Sequence, residues 1–99
     1  MITTSNYREL MNQLRSAKNK GAKVEFIYQN KTFTKSANGV IEYIDIDIDD
    51  EGILVRVEDK DFFIQKNDKI KSMKKMGRIY HMITAEDSDW KMQIILKKD

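Results

Sequence analysis

The stretch IEYIDIDIDDEG, Ile41–Gly52, carries six acidic side chains in twelve positions, with Asp45, Asp47 and Asp49 at every second residue. Successive side chains of a strand point to opposite faces, so Ile44, Ile46 and Ile48 share one face and the three aspartates the other. The stretch therefore reads as a strand with one dry and one wet face. Just upstream the parity is reversed, because Ile41 and Tyr43 are odd-numbered and Glu42 is even. A bulge or bend near Tyr43–Ile44 reconciles the halves by inserting one extra residue into the strand. The tetrapeptide DDEG then predicts a hairpin loop leading into ILVRV. That loop sets Ile48 opposite Ile53, Ile46 opposite Val55, Ile44 opposite Val57, Asp45 opposite Arg56 and Asp47 opposite Leu54. A slip by one residue would bury carboxylates beside valines, so the parity is strongly specified.

The aspartates do not fit a calcium loop. Counting from Asp45, the sixth position is Asp50 where glycine is needed, and the twelfth is Arg56 where a bidentate glutamate is needed. They read instead as a solvated strand face, or as an acidic surface for a basic partner: Asp45, Asp47, Asp49.

Working outward, Tyr7, Leu10, Met11, Leu14 and Ala17 form one apolar stripe at helical spacing, predicting a helix over 6–20. Asn6 and Glu9 have capping-box spacing, and Gly21 is placed to stop the helix in a left-handed conformation. From Ala22 to about Gln65 the pattern is strand and turn: Val24, Phe26 and Tyr28 alternate with polar residues, Asn30–Lys31 is a turn, and Ala37–Asn38–Gly39 suggests an interruption. EDKD turns ILVRV into FFIQ. Residues 68–76 fit a strand or a short helix equally well. RIYHMIT and WKMQIILKK read as a final hairpin around AEDSD, with Trp90, Met92, Ile94 and Leu96 alternating on one face.

The chain has 99 residues and a net charge of +2, without cysteine or proline. This composition suits one small domain without disulfides, and the lack of cysteine fits a cytoplasmic setting. No secretion signal or membrane-length apolar run is visible. The charge is unevenly spread: residues 1–41 carry +5, residues 42–61 carry −7 and residues 62–99 carry +4. Neighbouring acidic and basic strands would neutralise each other across a sheet.

Lys66, Lys69, Lys71, Lys74, Lys75 and Arg78 form a basic run that can follow phosphates, with Tyr80, His81, Phe62 and Phe63 nearby to stack on bases. Against that stands simple solvation of one strand. His81, the sole histidine, reads as an ordinary strand residue, and Met73, Met76, Met82 and Met92 as core fillers. No phosphate-binding loop, dinucleotide motif or nucleophile elbow occurs. No cofactor, metal site or catalytic residue is expected.

A short helix followed by bent strands is the element order of Sm-like and SH3-type small barrels. Over residues 24–70, VEFIY, NGVIEYID, ILVRVEDKDFFI and NDKI resemble the YolD-like family. Val24, Phe26, Tyr28, Gly39, Ile41, Ile44, Asp45, Ile64, Asp68 and Ile70 stand at matching positions. EDKD departs from that pattern in lacking glycine, and the final hairpin is additional to it. The resemblance implies a small non-enzymatic protein of bacterial or mobile-element type, and by fold analogy raises ring formation and RNA binding. The expected architecture is α+β: a helix over 6–20, a bent antiparallel Sm/SH3-like barrel over 22–76 and an added hairpin over 78–98, forming one domain. The expected function is a non-catalytic module that binds a protein partner or itself, including modulation of a host protein by a phage product. The alternative is binding of RNA or single-stranded nucleic acid through the basic face. No membrane association is expected.

If the aspartate run is a solvated strand face, millimolar calcium or magnesium should leave the melting temperature unchanged. A large, saturable rise would revive a metal site, because ligands of the native state stabilise it by mass action.

Overall fold

A computed structural model of the chain describes residues 6–47, 52–65, 68–84 and 89–97, with backbone alone at Asn6, Asp47 and Lys97. Helix α1 (Asn6–Lys20) precedes seven strands: β1 (Lys23–Gln29), β2 (Thr34–Asp47), β3 (Gly52–Val57), β4 (Lys60–Gln65), β5 (Lys69–Lys75), β6 (Arg78–Thr84) and β7 (Lys91–Lys97). Residues 68–76, ambiguous in sequence, are thus mostly strand. The strands form one antiparallel sheet in the order β4-β3-β2-β1-β7-β6-β5. This order has two free ends, so the sheet is open, with β4 and β5 as its edges. The coarse α+β reading holds. The final hairpin, β6–β7, is integral to the sheet, because β7 lies between β1 and β6.

The apolar stripe explains α1. Leu10 and Leu14 are fully buried, and Tyr7, Met11 and Ala17 pack at their margin. Gly21 has φ 66°, as its stop position requires. Its N–H donates to Lys18 O at 3.1 Å, and the Ala22 N–H donates to Ala17 O at 2.9 Å. These two bonds satisfy carbonyls that the helix end would otherwise leave open. The Glu9 carboxylate accepts from Gln13 Nε2 at 3.2 Å, one turn along its own helix. Helix α1 touches both β2 and β5 and so lies across the concave side of the sheet.

The curl originates in β2. Its first half pairs regularly with β1, from Lys23 opposite Val40 to Gln29 opposite Thr34. The strand is therefore continuous through Ala37–Asn38–Gly39, where an interruption was expected. The irregularity falls instead between Ile41 and Tyr43: Ile41 is opposite Val57, yet Tyr43 is opposite Arg56. Glu42 is the extra residue of a bulge. Ile41, Ile44 and Ile46 consequently all turn towards the core despite their opposite parity.

Beyond the bulge the isoleucines keep the expected face, but the pairing is two residues away from the sequence expectation. Ile44 is opposite Val55, Asp45 opposite Leu54, Ile46 opposite Ile53 and Asp47 opposite Gly52. Gly52 belongs to the strand rather than the loop. A Cβ there would lie 2.4 Å from Phe63 Cζ, so the ring of Phe63 occupies the space that glycine leaves. The expected Ile48–Ile53 pair does not form, because Ile53 is opposite Ile46; residues 48–51, with most of the DDEG loop, lie outside the described residues.

The β3–β4 turn lies over the first half of β2. Phe62 of β4 meets Phe26 of β1 with ring centroids 4.8 Å apart, although two strands separate them in the sheet. Lys35 Nζ sits 4.7 Å above the Phe62 ring, and Lys60 Nζ donates to Ser36 O at 2.8 Å. Both central residues of this turn have positive φ, Glu58 at 52° and Asp59 at 62°, without the glycine that such a turn favours. Side chains offset the strain. The Glu58 carboxylate accepts from the Asn38 N–H, and the Asp59 N–H donates to the carboxylate of bulged Glu42 at 3.1 Å.

Deleting the buried Leu14 side chain should remove the link between helix and sheet. Leu14→Ala is expected to lower stability by about 2–4 kcal/mol in urea melts, and a loss below about 0.5 kcal/mol would make the helix peripheral.

Candidate interaction surfaces

Residues directly opposite each other in a sheet share a face, so the register maps the outer surface. On β5, Ile70 is buried, and Lys69, Lys71, Met73 and Lys75 alternate away from it onto the outer face. The cross-strand rows are Lys69–Thr84–Lys91, Lys71–Met82–Gln93, Met73–Tyr80–Ile95 and Lys75–Arg78–Lys97. The last row sets three cationic residues in consecutive register, two of them, Lys75 and Arg78, with exposed side chains. Like charges directly opposite each other are unfavourable. No ion pair relieves Lys75 or Arg78 among the described residues. Beside this row runs the less polar stripe, with Met73 57% exposed and Tyr80 half-buried.

Of the basic run singled out in the sequence, Lys69, Lys71, Lys75 and Arg78 therefore share the outer face. Lys74 is exposed but shares the parity of Ile70 and Ser72, on the helix-facing side. Lys66 lies outside the described residues. Lys91 joins the outer face, and register alone reveals this, since it is distant in sequence. Of the aromatic neighbours, Tyr80 is on this face, Phe62 and His81 are buried, and Phe63 is on the far part of the sheet. The methionine expectation fails at Met73 and Met76, which are exposed, and holds at Met92, which is buried.

The acidic surface lies at the other end of the strand order. Asp45 is exposed on the outer side of β2, and the Asp47 backbone follows two residues on. Asp49 is outside the described residues. Arg56 pairs with Asp61 rather than Asp45: Nε to Oδ1 is 2.8 Å and Nη2 to Oδ2 is 3.3 Å. That guanidinium holds the Asp61 carboxyl below its ordinary range. Among these charges Tyr43 and Phe63 are each 47% exposed, in the neighbouring register rows Tyr43–Arg56–Asp61 and Asp45–Leu54–Phe63. Neutralisation between neighbouring acidic and basic strands is accordingly not what the strand order produces: β3 and β4 are far from β5 along the sheet. Among the described residues, no cluster of three or more histidine, aspartate or glutamate side chains is disposed to hold a metal. No described helix is long and apolar enough to cross a membrane.

His81 is fully buried and bonded at both ring nitrogens. Nδ1 lies 2.7 Å from Ser72 Oγ on β5, and Nε2 lies 2.6 Å from Gln13 Oε1 on α1. Gln13 Oε1 can only accept, so Nε2 carries the hydrogen and Nδ1 accepts from the serine hydroxyl. The neutral ring thereby ties the helix to two strands. Burial pushes its pKa down to about 4, with Glu9 opposing in part. This places His81 in a structural bridge, and its ring is closed to solvent.

Compared with known proteins, the chain matches no family model, no curated protein and no solved structure.

The His81 bridge predicts a pH dependence with a definite sign. The unfolded ring titrates near 6.5 and the folded one near 4, so the unfolded state binds the extra proton between them. Stability should be fully present above about pH 6.5 and fall as pH drops towards 4, by roughly 3 kcal/mol from this group. Urea melts across this range should show the slope, and His81→Gln should flatten it. An equal slope in the variant would assign the loss to carboxylates.

Proposed function

We propose that the protein is a non-catalytic interaction module whose outer face over β5, β6 and β7 binds single-stranded nucleic acid. The observation that carries this reading is the Lys75–Arg78–Lys97 register row beside the Met73–Tyr80–Ile95 stripe. Cations set opposite one another cost stability in the free protein, and a phosphate chain lying along them removes that cost. An adjacent apolar and aromatic stripe offers the bases a stacking surface without sequence preference. Lys69, Lys71 and Lys91 extend the positive field over the same face. The likeness of residues 24–70 to the YolD-like family supports a non-enzymatic role. The curl of β2–β4 over β1 supports the small-barrel likeness for that part of the chain. A cytoplasmic setting belongs to the same proposal, supported by the cysteine-free sequence.

A second reading, docking of a protein partner or a second copy of the chain, is favoured by one observation. Tyr43 and Phe63, both exposed, lie with half-buried Leu54 in two adjacent register rows among Asp45, Arg56 and Asp61.

Fluorescence anisotropy with a labelled oligo-dT separates the two. Nucleic-acid binding predicts a logarithmic salt slope of about −0.7 per neutralised phosphate. Lys75→Glu with Arg78→Glu should abolish binding, while Tyr43→Ser with Phe63→Ser leaves it intact. Absence of oligonucleotide binding at low salt, together with a salt-insensitive oligomer, would overturn the first reading in favour of the second.

A further inference from the structure

Met76 is the most exposed large apolar residue described, at 90%, and it occupies a left-handed backbone conformation with φ 52°. It forms the two-residue β5–β6 turn with Gly77, whose φ is 75°, between the paired Lys75 and Arg78. Glycine, asparagine and aspartate are the residues such a position favours. Methionine has a Cβ that the conformation disfavours and no polar group to bond the local backbone.

The β3–β4 turn shows what offsets the same cost elsewhere in the molecule. There, the carboxylates of Glu58 and Glu42 bond the backbone of β2 and of the turn itself. The β5–β6 turn has nothing comparable among the described contacts. A Cβ built on Gly77 would meet no atom within 4 Å, so the tip stands in open space. Met76 is therefore unfavourable in the free protein through its backbone conformation, and its side chain is left open to a partner. Uncompensated strain of this kind points to a task at the site.

Its surroundings indicate which task. Lys75 and Arg78 flank it directly, and beyond them lie Met73 and Tyr80. A polyanion following the cationic row would have one stacking surface on its inner side and one protruding thioether on its outer side. Resting on the nucleic-acid reading above, we propose that Met76 is a wedge that enters between adjacent bases of the bound strand while Lys75 and Arg78 hold the flanking phosphates. A flexible, polarisable thioether suits base faces of any sequence, and methionine is among the side chains that part base steps. A bilayer would use the cations and the single methionine but would leave the half-buried Tyr80 stripe without a role.

The test uses the full chain and an oligo-dT carrying one fluorescent purine analogue whose emission rises on unstacking. Wild-type binding should raise emission. Met76→Asn should bind about tenfold more weakly, consistent with the loss of one base contact, and should give no rise in emission. It should also keep the wild-type salt slope and melt at a higher temperature, because asparagine tolerates the turn. Met76→Leu should retain most of the affinity and the emission change. Wild-type affinity and emission in Met76→Asn would overturn the wedge while leaving the nucleic-acid reading intact. A lower melting temperature for that variant would overturn it by assigning Met76 to the fold. Failure of the wild type to bind the oligonucleotide would overturn both proposals, including the case of binding only to phosphatidylserine vesicles.

Discussion

The contact between Phe26 and Phe62 is the constraint on which the other features depend. In a flat sheet β1 and β4 would stand roughly 14 Å apart, three strand spacings. Their ring centroids are 4.8 Å apart, so the sheet folds back over its own face. The bulge at Glu42 makes this possible, because it re-phases β2 and lets one fourteen-residue strand face the core along both halves. The same glutamate accepts from the Asp59 N–H and so helps to secure the turn that the curl brings near. Helix α1 then fills the concavity, with Leu10 and Leu14 in the shared core and Gln13 bonded to His81.

This geometry converts a segregation along the chain into one across the surface. The acidic segment occupies β2, β3 and their connections at one end of the strand order, and the lysine-rich segment forms β5 at the other. Both edges bear charges that discourage strand addition: β5 presents lysines, and β4 presents Lys60 and Asp61. The outer surface consequently offers two chemically distinct faces, one cationic with an aromatic stripe and one acidic with exposed rings.

Much of the fold was legible in the sequence. The period of Tyr7, Leu10, Met11, Leu14 and Ala17 located the helix, and the parity change between Ile41 and Ile44 located the bulge within about a residue. Alternation specified which faces of β2 and β3 meet, yet it could not distinguish registers that differ by two residues, because both bury the same isoleucines. In the observed register Gly52 lies within the strand under the Phe63 ring, a contact between residues eleven apart that no local pattern encodes. Closure was overestimated for a related reason: strand count and bends do not specify whether the edges pair. The basic run was visible, but its division between two faces depended on β5 being a strand, and Lys91 joined it only through pairing. His81 carried no local signal of burial, since its partners Ser72 and Gln13 come from β5 and α1.

The most direct test of the curl is a proton NOE experiment on the aromatic rings, combined with methyl contacts in β2 and β3. The curled sheet predicts a Phe26–Phe62 ring contact together with Ile44–Val55 and Ile46–Ile53 methyl contacts. Absence of the ring contact, with Ile44 facing Val57 and Ile46 facing Val55, would contradict it.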